Sequence, residues 1–271
     1  MLSLALLLAS QFIFLRGSFF KDLRLGRLGT EFTLENYVRF LTDSIYVDSL
    51  ILTTRLSATV AILTLLLAYP VAYILARMTS RWSMVLLAAI VAASFITIVI
   101  KVLGLIIIFS SGGALNQTLL WLGVVTKPVT IVGQPSGVVV GLMHFTMGFA
   151  VLLLYGVIRT IPRSLEDAAT IHGAQRWRVF KRVIVPLSLP GVIVTALIVF
   201  NLCMGAFTSA ALIGGGKVYT LPVLIQQTVI MQTRYAMGAT ISAVLMAVTL
   251  IINLVSIAIA AWLGSVRRLT A

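Results

Sequence analysis

The chain has 271 residues, 60% of them hydrophobic and only 10% charged, with a mean hydropathy of +1.12. A soluble domain is about half apolar and about a quarter charged, so a water-soluble globule is excluded, and the apolar residues arrive in long runs instead of amphipathic stripes. A net charge of +13 would suggest nucleic acid in a soluble protein, but here Lys and Arg concentrate between the apolar runs, where they set membrane orientation.

A helix needs about 20 apolar residues to cross a hydrocarbon core of about 30 Å. The first run, 1–15, is shorter and contains Ser3, Ser10 and Gln11. No basic residue precedes it and no small-x-small site closes it, so it reads as a span and not as a cleaved leader. The connection from Arg16 to Asp48 holds five of the seven acidic residues. Within it Leu34, Tyr37, Val38 and Leu41 recur at helical spacing, which predicts a short amphipathic helix on the membrane surface or beneath a partner.

Spans are predicted next at 50–76 and 83–109. The connection Ser110–Ser136 follows, punctuated by Gly112, Gly113, Pro128, Gly133 and Pro135, and belongs on the same side as Arg16–Asp48. Further spans are predicted at 136–158, 189–213 and 237–263. No repeat and no linker divides the chain, so residues 1–271 are read as one all-α membrane domain of about six transmembrane helices. The single Cys203 lies in a span and leaves neither a disulfide framework nor a zinc-type Cys/His cluster.

One set of connections carries Arg77 and Arg81, then Arg159, Arg163, Arg176, Arg178, Lys181 and Arg182, then Arg267 and Arg268. After the second span the alternate connections carry only Lys127, Lys217 and Arg234, so the first set is cytoplasmic. Arg16, Lys21, Arg24 and Arg27 run against that assignment, because they follow the first span and fall outside.

The most patterned polar segment is 159–190, RTIPRSLEDAATIHGAQRWRVFKRVIVPLSLP. Pro162 opens a helix, Ser164 is placed to cap it with Asp167 three residues on, and Leu165, Ala168, Ala169 and His172 share neighbouring faces. Gly173 suits the bend that ends the helix. A second helix from Ala174 stacks Trp177, Phe180 and Ile184 on one side and Arg176, Arg178, Lys181 and Arg182 on another, with Pro186 and Pro190 marking the return to the bilayer.

At these positions the chain resembles the permeases of ABC importers, whose cytoplasmic signature is E-A-A-x3-G-x9-I-x-L-P. The matching residues are Asp167, Ala168, Ala169, Gly173, Val183, Val185 and Pro186, with spacing kept and three conservative departures. The resemblance implies a type I importer permease fold whose coupling helix docks on an ATPase subunit through Glu166, Asp167, Ala168, Ala169, His172, Gly173 and Pro186. It also implies two partner ATPases that bind ATP and Mg, a second and homologous permease, an extracytoplasmic solute-binding protein, and residence in a bacterial inner membrane. GGALNQTLLWLG at 112–123 and LIGGG at 212–216 resemble spermidine/putrescine-type permeases, which implies a polyamine or related amine or opine as solute. No nucleotide-binding motif occurs in the chain, so ATP hydrolysis is expected on a partner, and no cofactor is expected here.

For the solute path the candidates are Lys101, Phe145, Asn201, Met204 and Phe207, with His144 beside them. Each has a plain alternative: Lys101 held by backbone carbonyls or another span, Asn201 hydrogen-bonded across helices, the rest packed between helices. The run Gly214-Gly215-Gly216 reads as a turn, since no Lys-Ser/Thr follows at phosphate-loop spacing. A secondary transporter, the main rival, would place coupling carboxylates in the membrane, whereas all seven acids lie outside the span interiors. An intramembrane enzyme would need a constellation around His144 that the sequence does not supply.

Overall fold

A computed structural model describes the backbone of residues 2–23 and 27–269, with side chains for 9, 11–23 and 27–259. The orientation residues Arg24, Arg267 and Arg268 fall outside the described side chains.

The chain opens with α1 (Leu2–Gly17), a hairpin of β1 (Phe20–Asp22) and β2 (Leu28–Phe32), and α2 (Glu35–Thr42). The long helix α3 (Ser44–Arg77) follows, then α4 (Trp82–Phe95), α5 (Ile98–Phe109) and α6 (Ala114–Trp121). Next come α7 (Pro135–Arg159), α8 (Arg163–Ile171) and α9 (Arg176–Val179), which runs through a wide π-helical turn at Phe180–Ile184 into α10 (Val185–Met204). Two short helices, α11 (Thr208–Ile213) and α12 (Leu221–Gln226), precede α13 (Tyr235–Leu269).

Among the described residues five segments are long and apolar enough to cross a bilayer: Ser44–Arg77, Ile98–Trp121, Pro135–Arg159, Arg176–Met204 and Tyr235–Ile259. The sixth expected span corresponds to α1, whose 16 residues reach about 24 Å at 1.5 Å per residue. It lies beside α13, with Gly17 against Ala239.

Boundaries shift where local backbone breaks the apolar runs. The expected span 83–109 is split, because Ile96 and Thr97 are extended and end α4 before α5 begins. The expected span 189–213 stops at Met204, where Gly205 caps α10. Pro186 and Pro190 do not turn the chain into the bilayer. They sit inside a continuous helical segment, Arg176–Met204, and the π turn just before Pro186 widens the helix where the ring would otherwise meet a carbonyl one turn back. The connection Arg16–Asp48 also departs from an all-helical reading, since β1 and β2 pair antiparallel with Phe20 opposite Phe32.

The core is a three-helix contact of α3, α7 and α10. On α3 the fully buried Ala68, Ala72 and Ala76 repeat every four residues, one stripe of small side chains that lets neighbouring backbones come close. Gly191 of α10 meets Val157 of α7 so tightly that no Cβ fits. Two hydroxyl pairs bond across this core, Thr64 with Thr146 at 3.3 Å and Tyr69 with Ser188 at 2.6 Å.

The end of the bundle opposite Arg77 is closed by long-range bonds. The Asp22 carboxylate accepts the backbone N–H groups of Ala236 and Met237 at 2.7 and 3.0 Å, capping α13 from the hairpin. Asn36 donates to the carbonyls of Ser18 and Phe20, Thr53 accepts the N–H of Leu221 at 2.9 Å, and Gly133 donates to the carbonyl of Ile213 at 2.7 Å. Both polar connections therefore lie at this end, as expected. Helix α2 is amphipathic but seats the other face: Phe40 and Asn36 are buried while Leu34, Val38 and Leu41 are exposed.

Candidate functional site

The polar segment 159–190 folds into a knob at the end of the bundle that carries the basic connections, which makes that end cytoplasmic. Helix α8 starts at Arg163 after Pro162, whose extended backbone (φ −60°, ψ 134°) fits its place before a helix. No side chain caps α8, so the expected Ser164 cap does not form; Ser164 already lies within the helix, past the capping position. Gly173 takes φ +79°, a conformation that suits a residue without Cβ, and reverses the chain as expected.

The two neighbouring acids differ in exposure and in partners. Asp167 is exposed, with Ala168 and His172 also at the surface and Ala169 half-buried. Glu166 is turned inward: its Oε1 lies 2.6 Å from Arg77 Nε, with the two side chains only 18% and 14% exposed. The Nε–H is not aligned on that oxygen, so the contact is a close charge pair and not an aimed hydrogen bond. Tyr73 donates its hydroxyl to Glu166 Oε2 at 3.4 Å.

Arg77 is itself fixed at both ends. Its Nη2 donates to the Ile161 carbonyl at 3.2 Å, and its own carbonyl accepts from Arg163 Nη2 at 3.1 Å. The second half of the knob is held by stacking. Phe180 packs edge-on against Tyr73 and Tyr69 with centroids 5.1 and 5.7 Å away, and Trp177 stacks on Phe180 at 5.6 Å while remaining 65% exposed. Ile184 is buried and continues the stripe. Between α3, α8 and α9 lies a cavity of about 750 Å³ lined by residues that include Tyr73, Arg77, Glu166, Asp167 and Trp177.

Pro186, expected at the docking surface, is half-buried in the second position of α10. It shapes the helix entry and is not part of the exposed face of α8. Arg77 and Tyr73 are the residues that sequence reasoning did not connect to this segment. Their one visible signal was Arg77 as the first basic residue after the span predicted at 50–76; its partner lies 89 positions away.

The candidate path residues do not form one surface. Met204 is 1% exposed inside the core. Asn201 exchanges two amide hydrogen bonds with Asn253 of α13, at 3.3 and 3.1 Å, so the packing alternative holds for it. Phe145 is half-buried against Phe149 at 5.9 Å. Phe207 and His144 are exposed, and Lys101 is half-buried on α5 within electrostatic reach of His144. Gly215 and Gly216, with φ +53° and +71°, form the expected turn.

Residues 68–268 match the family described as "Binding-protein-dependent transport system inner membrane component". The chain belongs to that family. It is a multi-pass inner-membrane permease subunit of the ABC-importer type. It is 36% identical over 186 residues to the spermidine/putrescine transport system permease protein PotB of Escherichia coli strain K12, an alignment that covers 69% of this chain and 67% of that one. To the protein of the same name in Haemophilus influenzae it is 29% identical over 210 residues, covering 78% and 73%. The fold is similar to that of a chain in the crystal structure of a bacterial ABC transporter involved in import of the polysaccharide alginate, with TM-score 0.75, 17% identity and 94% and 89% coverage.

Proposed function

We propose that α8 is the docking element for an ATPase subunit and that this permease, paired with a second, homologous permease, moves a polyamine or related amine by alternating access. A binding protein on the Asp22 side delivers the solute, and two ATPases carry ATP and Mg. The observation that carries the reading is the mount of α8: a helix with Asp167, Ala168 and His172 exposed, pinned through Glu166 and Arg163 to Arg77 at the end of a transmembrane helix. An exposed helix pinned in this way at the cytoplasmic end can receive force from a partner and pass it into the bundle. Ala168 permits close approach and Asp167 offers a charge to a partner group.

Support for the solute class comes from the similarity to PotB, a spermidine/putrescine transport system permease protein. One observation favours a second solute, neutral or anionic: Lys101 sits within the second crossing, and a fixed positive charge repels a polycation. Two arms test these readings. Affinity purification of this chain in mild detergent is expected to recover an ATPase, and its absence defeats the docking reading. Uptake of ¹⁴C-spermidine is expected to stop on ATP depletion and to survive collapse of the proton gradient; the reverse result would favour a secondary transporter, and uptake of an anion in place of spermidine would favour the second solute.

A further inference from the structure

We infer that Glu166 and Asp167 divide the work of the knob, Asp167 facing the partner while Glu166, through Arg77 and Tyr73, locks α8 to α3 so that the two move as one body. The inference rests on the docking reading and adds the route by which force leaves α8. Three features place that route at the last turn of α3.

First, the Glu166 and Arg77 side chains are both mostly removed from water and 2.6 Å apart. Charges in such a setting interact more strongly than at the surface, and removing one leaves its partner buried and uncompensated. The pair therefore resists separation. Second, Arg77 is braced in two directions: its Nη2 donates to the Ile161 carbonyl just before α8, and its own carbonyl accepts from the Arg163 side chain in the first turn of α8, so the guanidinium is set in place for Glu166. Third, the same turn of α3 holds the other half of the knob, because Phe180 rests on the Tyr73 ring whose hydroxyl bonds Glu166. Tyr73 thus touches both halves. Along its length α3 is packed against α7 and α10 through the buried Ala68, Ala72 and Ala76, so displacement of its end is delivered to the core and not lost in a loop. Glu166, Arg77 and Tyr73 are positioning residues in this scheme: none faces the solute or the nucleotide.

The test uses the complete complex reconstituted in lipid nanodiscs, with Cys203→Ala and spin labels at Ser164→Cys on α8 and Thr79→Cys just past α3. Electron–electron resonance distances are read without nucleotide and with ATP and vanadate. With Glu166 intact, one narrow distance is expected in both states. Glu166→Gln is expected to broaden or shift it in the ATP–vanadate state, and coupling of ATP hydrolysis to ¹⁴C-spermidine uptake is expected to fall about tenfold, within the usual range of coupling energies. The ATPase should stay bound. The conservative Glu166→Asp, which keeps a carboxylate for Arg77 and leaves the Arg77–Ile161 and Arg163–Arg77 bonds in place, should retain the narrow distance. Asp167→Asn should do the opposite of Glu166→Gln, loosening the ATPase while the distance stays narrow.

A distance that already changes on ATP binding with Glu166 intact overturns the inference, as does a Glu166→Gln variant with an unchanged distance. Loss of the ATPase in Glu166→Gln overturns it too, since Glu166 would then belong to the docking surface. If the complex with both acids intact holds no ATPase, the docking reading itself fails. The distance measurement needs no knowledge of the solute.

Discussion

The two ends of the bundle are closed by different means. At the extracytoplasmic end, hairpin, α2, α12 and α13 are stitched by short hydrogen bonds that satisfy helix ends: Asp22 caps α13, Thr53 satisfies the first residue of α12, and Asn36 ties α2 to the hairpin. Helix α13, 35 residues long, has no acid in its own first turn and takes its negative cap from Asp22. At the cytoplasmic end, α8 is fastened by one charge pair and two arginine-to-carbonyl bonds, and the second half of the knob by an aromatic stack on α3. One end is closed by hydrogen bonds among its own elements. The other pins an exposed helix through a few long side chains, which suits a surface that receives force.

Substitutions at the close-packed core and at the two ends would break or sharpen this contrast. The largest effect is expected at the core that both ends share: Gly191→Leu drives a side chain into Val157, a stiff β-branched neighbour, and should cost about 3 kcal/mol of stability, seen as a large drop in melting temperature in detergent. A near-normal melting curve would show that α7 and α10 can separate. At the extracytoplasmic end, Asp22→Ala strips the cap from α13 and leaves Arg234, 3.8 Å away, without its partner; a loss of about 2 kcal/mol is expected, with faster hydrogen exchange at Ala236 and Met237. At the cytoplasmic end, Gly173→Ala forces a Cβ into φ +79° and should cost about 1 kcal/mol, while nothing obstructs the Cβ itself. Its melting shift should be smaller than that of Asp22→Ala, and the reverse order would contradict the contrast. The smallest change is expected at Asp167→Asn, within about 0.5 kcal/mol, as for an exposed group, yet it should reduce ATPase recovery more than any of the others.

Asn201 offers a further check on how polar groups serve this bundle. Replacing it with Leu leaves Asn253 unpaired in the membrane and should cost about 1 kcal/mol, measured by melting, with uptake little changed if the pair is purely structural.

Much of the architecture was legible in local patterns. Apolar runs located the crossings because the hydrocarbon thickness imposes a length that composition reveals directly, and Gly173 announced its bend because few residues other than glycine accept that backbone conformation. The limits were equally local. Hydropathy could not see the break at Ile96–Thr97, since both sides of it are equally apolar, and it read Pro186 and Pro190 as turns because it could not foresee a π-helical turn that accommodates proline. Residue type alone marked Met204 and Asn201 as path candidates; it does not reveal that Met204 is buried in the core or that Asn201 pairs with Asn253.

By itself the sequence determined the solvent, the approximate crossings, the cytoplasmic end and the position of the knob, all properties carried by contiguous residues. Tertiary structure alone decided which acid turns inward, which carboxylate caps α13 and which amides pair across the bundle. Those partners stand 89, 214 and 52 positions apart. No local propensity links residues at such separations; only the placement of α8 at the end of α3, of the hairpin against α13 and of α10 against α13 brings them together.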